Sequence, residues 1–547
     1  MESEGPISHS PFHYAIFRDV WIANLASRFG GLIQSVGASW VMVSLSPSAL
    51  LVSLVQASTT LPILLFALVA GALADTYDRR RLMILAQLFM LVVSTVLALV
   101  AWAGMLTPWL LLLFTFLIGS GAALNGPAWQ ASVGEMVPRP ALPAAVAINS
   151  MGFNIARSVG PAVGGVIVAA AGAATAFAVN AVSYLGLLFV LSRWRPAIAP
   201  STLPREHLGA AMLSGVRYAA MSPVIAGVLA RATVFGIGAS AVPALMPLAA
   251  HDLMHGGALT YGLLLGAFGL GAVVGALSSA WLRQRLSSEA MVRWALVALA
   301  AGGLGMGFST ILPLTLAALA IAGAGWVLAL STFNVTVQMS APRWVVARAL
   351  ALYQMAAFGG MAIGSWLWGI VTEAQGLENA LLGAAAALAM CLAIGIARPL
   401  ADLAMLDLDP LNRWHAPEIA LAIEDRSGPI VVSIEYRIDD ACVPDFLAAM
   451  AERRRVRRRD GARNWTLMRD LETPQLWIER YDVPTWTEYV RHNSRITQAD
   501  AAIGARLRAL HIGPEKPVVR RLIERQTDTP PIHETLAEPL TDVARQA

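Results

Sequence analysis

The uneven distribution of charge along the 547-residue chain constrains its fold more than any other feature. Residues 1–400 hold 18 Arg and 11 Asp or Glu, whereas residues 401–547 hold 20 Arg, one Lys and 24 Asp or Glu. Because soluble domains carry about 25% charged residues, the first 400 residues are too apolar for water. With only two cysteines as well, the sequence excludes a soluble enzyme, a secreted disulfide scaffold and a disordered chain. It predicts a membrane region followed by a soluble domain.

Apolar runs separated by Gly, Pro and Arg predict twelve membrane-spanning helices, since about 20 apolar residues cross the bilayer core. Of the 18 arginines in the membrane region, 15 fall in or beside loops on one side, and the opposite loops hold no Arg or Lys. The positive-inside rule then places both termini and the longest loop, 193–221, in the cytoplasm. The predicted spans are 17–44, 50–74, 82–103, 108–131, 144–171, 174–192, 222–249, 259–281, 290–309, 312–335, 347–372 and 378–397.

The two halves of the membrane region are related by an internal repeat with an offset of 204 residues. The sequence GAL at 71–73 aligns with GAL at 275–277, and Pro-Arg at 138–139 aligns with Pro-Arg at 342–343. Chance among Gly- and Ala-rich helices would give scattered matches but not two loop motifs at one offset. Parallel six-span repeats are a transporter architecture in which the substrate binds between the halves near mid-membrane.

Two motifs resemble the major facilitator superfamily. The loop after the second span reads GALADTYDRRR (71–81), which is similar to the signature loop of that superfamily except at Thr76 and Asp78. The fifth span contains GPAVGG (160–165), similar to the superfamily's antiporter motif, which is associated with export. The resemblance implies an all-α transporter of twelve helices in two six-helix repeats, in a bacterial inner membrane, and not an enzyme.

Residues of the first and fifth spans also resemble the transmembrane secretion effectors, the branch that contains enterobactin exporters and macrolide efflux proteins. They are Trp21, Asn24, Gln34, Asn154 and Arg157.

The signature loop predicts a conformational gate at the cytoplasmic end of the helices. A topology anchor would explain its arginines but not Asp75, because a carboxylate just inside the membrane boundary is costly. Glycines one turn apart in the fifth span would let another helix approach closely, and Pro161 would invite a bend; tight packing alone is the alternative. The predicted gating residues are Gly71, Asp75, Asp78, Arg79, Arg80, Gly160, Pro161, Gly164 and Gly165.

Three arginines, Arg28, Arg157 and Arg231, fall near the centres of predicted spans, where a charge costs several kcal/mol unless it faces a partner or water. Helical spacing places Asn24 with Arg28, and Asn154 with Arg157, on polar stripes that we expect to line a central cavity. The alternative is that each arginine binds carbonyls and amides as structural glue. The predicted substrate-binding residues are Asn24, Arg28, Gln34, Gln130, Asn154, Arg157, Arg231, Asn334 and Gln338.

The spans supply no acidic partner for these arginines, so the expected cavity is net positive. This favours an anionic substrate, such as a siderophore-like molecule with carboxylate, catecholate or phosphate-like groups. No loop of the type GxxxxGK[ST] is present, and we expect an ion gradient, with protons as the counter-ion and no cofactor, to supply the energy. The titratable candidates are peripheral: Asp75, Glu135, His251, Asp252 and His255.

The pattern after Gly428 is that of a soluble α+β domain. Its strand and helix order, β-α-β-β-α-β, indicates a ferredoxin-like unit. The predicted strands are 430–438, 463–470, 475–482 and 517–524, with helices at 443–458 and 485–510. A resemblance to the dimeric antibiotic-biosynthesis monooxygenase domain, which implies dimerisation here, lies in 457–462, Trp465, Trp486, Arg491 and His492.

Two features of this domain leave alternatives open. The run Arg453–Arg459 suits either anionic lipid headgroups or a solvated helix end paired with Glu452 and Asp460. His492 is either a site residue or, as a lone surface histidine, incidental. No metal-ligand spacing is present.

The sequence predicts two six-helix bundles followed by a soluble domain. The parts are a cytoplasmic N-terminal segment 1–15, bundles 16–192 and 222–400, a central loop 193–221, a linker 401–427, a ferredoxin-like domain 428–526 and a disordered end 527–547. An exporter of small anionic or amphiphilic metabolites is the first interpretation. The alternatives are a multidrug or macrolide efflux antiporter, an importer, and a membrane-anchored enzyme or sensor. The basic excess lies in the membrane part and does not indicate nucleic-acid binding.

Overall fold

The computed structural model describes residues 10–138, 141–195, 208–342, 344–400 and 417–524, the last range with gaps at 418, 422, 425 and 514–515. The predicted linker lies mostly outside the described residues, and the N-terminal segment lies partly outside them. The predicted disordered end lies wholly outside them. The chain forms two compact units. The membrane unit comprises Met1–Met212, Val224–Gln338 and Arg348–Asp402, and the second unit comprises Leu213–Pro223, Met339–Ala347 and Leu403–Ala547.

The membrane unit is built from long helices joined by short loops. The helices of its first half are α1 (Ala15–Leu45), α2 (Ala49–Thr76), α3 (Arg79–Trp102), α4 (Pro108–Met136) and α5 (Leu142–Arg193). After α6 (Leu208–Met221), the second half contains α7 (Pro223–Ala239), α8 (Ala241–Leu248), α9 (Ala258–Arg285), α10 (Ser288–Phe308), α11 (Leu312–Met339), α12 (Val346–Gln375) and α13 (Leu377–Ala397).

Ten of the described helical segments are long and apolar enough to cross a membrane. Helix α1 is 31 residues long but more polar, because Asn24, Arg28 and Gln34 interrupt its apolar run. Helix α5 runs for 52 residues and breaks at Gly172, whose φ of 80° is the left-handed conformation that glycine adopts readily. With α1 counted, α5 divided at Gly172, and α7 and α8 taken together, the described helices match the twelve predicted spans.

The second unit contains a four-stranded antiparallel sheet in the order β2-β3-β1-β4. Its strands are β1 (Ile430–Arg437), β2 (Arg463–Arg469), β3 (Leu476–Val483) and β4 (Val518–Ile523), and its helices are α14 (Val443–Arg459), α15 (Trp486–Ser494) and α16 (Gln498–Ala509). This order of elements confirms the predicted ferredoxin-like fold. The core between sheet and helices contains Ile434, Phe446 and Tyr481, all buried.

Two short segments from between the membrane helices belong to the same unit. The guanidinium of Arg459, at the end of α14, lies 5.1 Å from the ring centroid of Tyr218 in α6. That of Arg495 lies 4.1 Å from the ring of Trp344, in the segment between α11 and α12. Cation–π contacts of this kind contribute about 0.5–2 kcal/mol each, so the ferredoxin-like domain is held against both segments.

A buried carboxylate organises the arginine run of α14. Glu479 of β3 is completely buried and accepts hydrogen bonds from Arg453 at 2.8 Å and Arg457 at 3.4 Å. Trp465 donates to the same carboxylate at 3.1 Å. These arginines hold the pKa of Glu479 below its ordinary value against the effect of burial, which raises it. Two arginines of the run therefore face the domain interior and are unavailable to lipid.

His492 is not an incidental surface residue. Its side chain is 2% exposed, and its Nε2 lies 2.8 Å from Nη1 of Arg457. Burial, and next the charge of the neighbouring Arg457, lower the pKa of His492 to about 3. His492 is therefore neutral at physiological pH. A single histidine gives no sequence signal for burial, because the helix face it occupies depends on how α14 and α15 pack.

Candidate transport site

Arg157 lies where the two halves of the membrane unit meet. Its guanidinium carbon is 5.5 Å from the ring centroid of Trp326 in α11 and 5.8 Å from that of Phe268 in α9. Within the part of the chain that the structure describes, no carboxylate forms an ion pair with Arg157. The two ring contacts contribute about 0.5–2 kcal/mol each, and a charge at the membrane centre costs about 2.5–3.5 kcal/mol or more. Arg157 is therefore suited to bind an anion.

Arg28 has a similar environment on the neighbouring helix α1. Its guanidinium lies 5.1 Å from the ring centroid of Phe153, one turn before Arg157 on α5. The Nε atom of Arg28 is buried and has no hydrogen-bond partner. No described carboxylate pairs with this side chain either. Arg28 and Arg157, on the neighbouring helices α1 and α5, thus both lack an acidic partner among the described residues.

Arg231 differs from these two, and the expectation that it lacks an acidic partner is wrong. It is 2% exposed, and its Nη1 and Nη2 donate to the carboxylate of Glu289 at 2.6 and 3.2 Å. Glu289 also accepts from Arg293 and from the backbone N–H of Leu400. Glu289 lies in the first turn of α10, and its carboxylate reaches Arg231 of α7. This ion pair joins α7 to α10, and because it neutralises Arg231 we leave that residue out of the proposed substrate site.

The remaining predicted binding residues divide into interior and accessible ones. Gln34 is buried, and its side-chain oxygen accepts from Ser94 at 3.2 Å and from Asn180 at 2.5 Å, inside the first half. Asn24 is also buried. Gln130 and Gln338 are exposed and Asn334 is half-buried; polar side chains on spanning helices need water or a ligand rather than lipid. The side chain of Asn154 lies outside the described residues.

The arginines of the signature loop bind within the first half. Arg79 forms a 2.6 Å ion pair with Glu135 of α4, and Arg80 donates to the carbonyl oxygens of Leu191 and Ser192 at the end of α5. Asp78 caps α3 by accepting from two backbone N–H groups. A side chain at Gly71 would meet no atom within 4 Å, and the side chain of Asp75 lies outside the described residues. The loop therefore joins the ends of α2, α3, α4 and α5.

The glycines of the GPAVGG motif make two kinds of close contact. At Gly160 and Gly164 an added Cβ would lie 3.0 Å from Leu32 and Ile33 of α1, in the same half. At Gly165 an added Cβ would lie 2.8 Å from the Cα of Gly262 in α9, which belongs to the other half. Pro161 lies inside α5. The motif thus packs α5 on α1 and also brings the two halves together.

A second link between the halves lies near the same end of the helices. The carboxylate of Glu373, at the end of α12, accepts from the Ser48 hydroxyl at 2.6 Å and the Leu50 backbone N–H at 3.1 Å. Trp40 of α1 stacks on Tyr261 of α9 with ring centroids 6.5 Å apart. Sequence reasoning missed these residues. The only signal was an acidic residue, Glu373, beside a loop without basic residues.

Replacing Gly165 with Ala is expected to weaken the contact between the halves at this end. The added methyl group would overlap the backbone of α9, so α5 and α9 must separate. We expect faster labelling by a thiol reagent of a cysteine introduced at Ser48, together with slower transport. Gly186→Ala is the matched control, because a Cβ at Gly186 meets no atom within 4 Å on the same helix. Equal labelling rates in both variants would contradict the assignment.

Comparison with known proteins agrees with the export motif. A profile of the transmembrane secretion effector family matches residues 7–529. The chain is 31% identical over 310 residues to the enterobactin exporter EntS of Citrobacter koseri, covering 55% of this chain and 72% of that protein. It is 27% identical to the multidrug efflux pump Tap of Mycolicibacterium fortuitum, covering 66% and 90% of the two chains.

Among solved structures, the fold is similar to a bacterial homologue of the human lysosomal transporter Spinster. The TM-score is 0.55 at 14% identity, covering 70% of this chain and 95% of that one. The protein is therefore a multi-span membrane transporter of the major facilitator fold, and it belongs to the transmembrane secretion effector family.

Proposed function

We propose that the protein exports a small anionic or amphiphilic metabolite, siderophore-like or antibiotic-like, across the bacterial inner membrane by alternating access. The observation that carries this proposal is Arg157, a cation without a described carboxylate at the junction of the two halves. Arg28 of α1 adds a second cation, over the ring of Phe153 one turn before Arg157. An anion would supply the missing counter-charge, and its apolar parts would suit the aromatic rings of Trp326 and Phe268.

We propose a proton as the coupling ion. Glu373 is a carboxylate whose hydrogen bonds join α12 of one half to the start of α2 in the other. Protonation would remove the negative charge that the helix N-terminus stabilises, and would weaken this link. The positive-inside distribution of arginines supports cytoplasmic termini. With cytoplasmic termini, Glu373 would lie on the outer side, where protons enter. Dimerisation through the ferredoxin-like domain stays a prediction.

Multidrug efflux is the second candidate function. The aromatic rings of Phe268 and Trp326 would accept varied amphiphilic compounds, and a related pump is named for multidrug efflux. Multidrug efflux differs from the first proposal in the charge of the substrate, because Arg28 and Arg157 would repel a lipophilic cation.

The test is transport into everted membrane vesicles that contain the protein. With an imposed pH gradient, we expect accumulation of a catecholate siderophore, and we expect a protonophore to abolish it. Ethidium serves as the lipophilic cation, and vesicles without the protein serve as the control. Accumulation of ethidium without the siderophore would favour the multidrug interpretation, and siderophore accumulation insensitive to the protonophore would contradict proton coupling.

A further inference from the structure

The ferredoxin-like domain contains a cavity of about 200 Å³ between α14, α16 and the end of α15. Its lining contains basic, acidic and apolar side chains. The basic part contains Arg453, Arg457 and Arg508 with the neutral His492, the acidic part contains Asp460 and Asp500, and the apolar part contains Val456, Ile496 and Ile503. None of these residues lies in the membrane unit, so the cavity is separate from the transport site.

The charges around the cavity do not balance. Arg453 and Arg457 share the single carboxylate of Glu479. Asp460 and Asp500 are both bound by Arg459, each at 2.8 Å. Arg508 has no ion pair or hydrogen bond to its side chain among the described residues. In and around the cavity, four guanidinium groups therefore share three carboxylates, and Arg508 is the one left without an acidic partner among the described residues.

Two of these cations converge on one point. A Cβ placed on Gly504 of α16 would lie 3.6 Å from Nη1 of Arg508 and 3.9 Å from Nη1 of Arg453. These are ordinary contact distances, so packing does not require a glycine here. A glycine inside a helix costs about 0.5–1 kcal/mol relative to Ala. Gly504 therefore leaves open a space that two guanidinium groups flank. The absence of a side chain there lowers the stability of α16.

The size of the cavity limits the ligand. A water molecule occupies about 30 Å³ in the liquid, so the cavity has the volume of about seven waters. That volume fits a small aromatic or branched aliphatic acid. Val456, Ile496 and Ile503 provide a surface for an apolar body, and a carboxylate beside Arg508 and Arg453 would form charge-assisted hydrogen bonds, which are the stronger kind.

We propose that this cavity binds a small organic monoanion, with its carboxylate between Arg453 and Arg508 and its apolar body against Ile496 and Ile503. The domain then acts as a receptor for such a molecule. The inference does not depend on what the membrane unit transports. Free phosphate would form similar hydrogen bonds with the two guanidinium groups, but it has no apolar body to contact the apolar residues of the lining.

The test is a ligand-observed ¹⁹F NMR titration of the full-length protein in detergent. The probe is 4-fluorobenzoate, 4-fluorobenzamide is the uncharged analogue, and inorganic phosphate is the competitor. We expect saturable line broadening for the benzoate and none for the benzamide. Equal binding of both probes would overturn the charge argument, and displacement of the benzoate by millimolar phosphate would overturn the organic ligand in favour of a simple anion site.

Variants locate the binding within the molecule. Gly504→Leu fills the space between the guanidinium groups and should abolish binding. Arg508→Gln, at an exposed position that tolerates the change, should weaken it about tenfold or more, as expected for a hydrogen bond to a charged group. Arg506→Gln is the matched control, because Arg506 lies on the same helix but pairs with Glu452 and does not line the cavity.

A variant of the membrane unit separates this inference from the proposed function. Arg157→Gln should keep the component of benzoate binding that Gly504→Leu removes, since Arg157 lies in the other unit. Binding lost in Arg157→Gln but kept in Gly504→Leu and Arg508→Gln would move the anion site to the membrane unit and overturn the inference. Binding that Arg157→Gln removes belongs to the transport site and binding that Gly504→Leu removes belongs to this cavity, so the two proposals fail separately.

Discussion

Replacing Arg157 with Gln is expected to abolish export of an anionic substrate while the protein still reaches the membrane at normal abundance. Glutamine keeps much of the volume and some hydrogen bonding of arginine but removes the charge. Losing one partner of a buried charge contact costs about 2–5 kcal/mol, which corresponds to a loss of about 30-fold to several thousand-fold in affinity. The proposed role of Arg157 is to bind the anionic group of the substrate. We therefore expect the defect to be confined to anionic substrates.

The measurement is accumulation of a catecholate siderophore in vesicles matched for the abundance of each variant. Arg193→Gln is the control, because Arg193 also lies on an aromatic ring, that of Phe189 at 4.1 Å, but at the far end of α5. Arg28→Gln should reduce export in the same direction. Normal export by well-inserted Arg28→Gln and Arg157→Gln variants would end the anionic-substrate proposal.

Replacing Glu289 with Gln is expected to destabilise the membrane unit by about 3–5 kcal/mol, because it leaves the buried charge of Arg231 without a partner. The side chains of Arg231 and Glu289 are only 2% and 9% exposed, so water cannot substitute. The expected result is a large drop in thermal stability in detergent and in membrane abundance. Glu378→Gln is the control, because Glu378 is exposed at the start of α13.

Removing both members of the pair distinguishes a structural role from a functional one. Replacing buried ion pairs with apolar residues of similar volume is often neutral or stabilising, so Arg231→Met combined with Glu289→Met should recover most of the lost stability. Transport should recover as well if the pair only holds α7 against α10. A stable double variant without transport would show that Arg231 acts in the transport cycle, as the sequence predicted.

The sequence by itself determined the membrane spans and the order of elements in the soluble domain. Each span is decided locally, because a helix in lipid must satisfy its own backbone and cover about 30 Å of hydrocarbon with apolar side chains. Helix α1 was predicted from the same apolar pattern, although Asn24, Arg28 and Gln34 interrupt it. The alternation of strand and helix patterns after Gly428 is equally local, and the structure confirms it.

The sequence also identified the GPAVGG motif, but it did not show which helices the glycines of this motif contact. The sequence placed Gly160 and Gly165 on one helix and predicted close packing. Only the tertiary structure shows that Gly160 packs within its own half while Gly165 meets Gly262 of the other half. Glycine signals that a neighbour approaches closely, and it carries no information about which neighbour.

Tertiary structure alone decided which charges are paired. Three intramembrane arginines looked equivalent in sequence, yet Arg231 is neutralised by Glu289, 58 residues away, and Arg28 and Arg157 have no described acidic partner. The link between Glu373 and Ser48 spans 325 residues, and His492 is buried against Arg457 of another helix. Hydropathy is a property of one segment, whereas an ion pair depends on which segments become neighbours, and that is settled only when the helices pack.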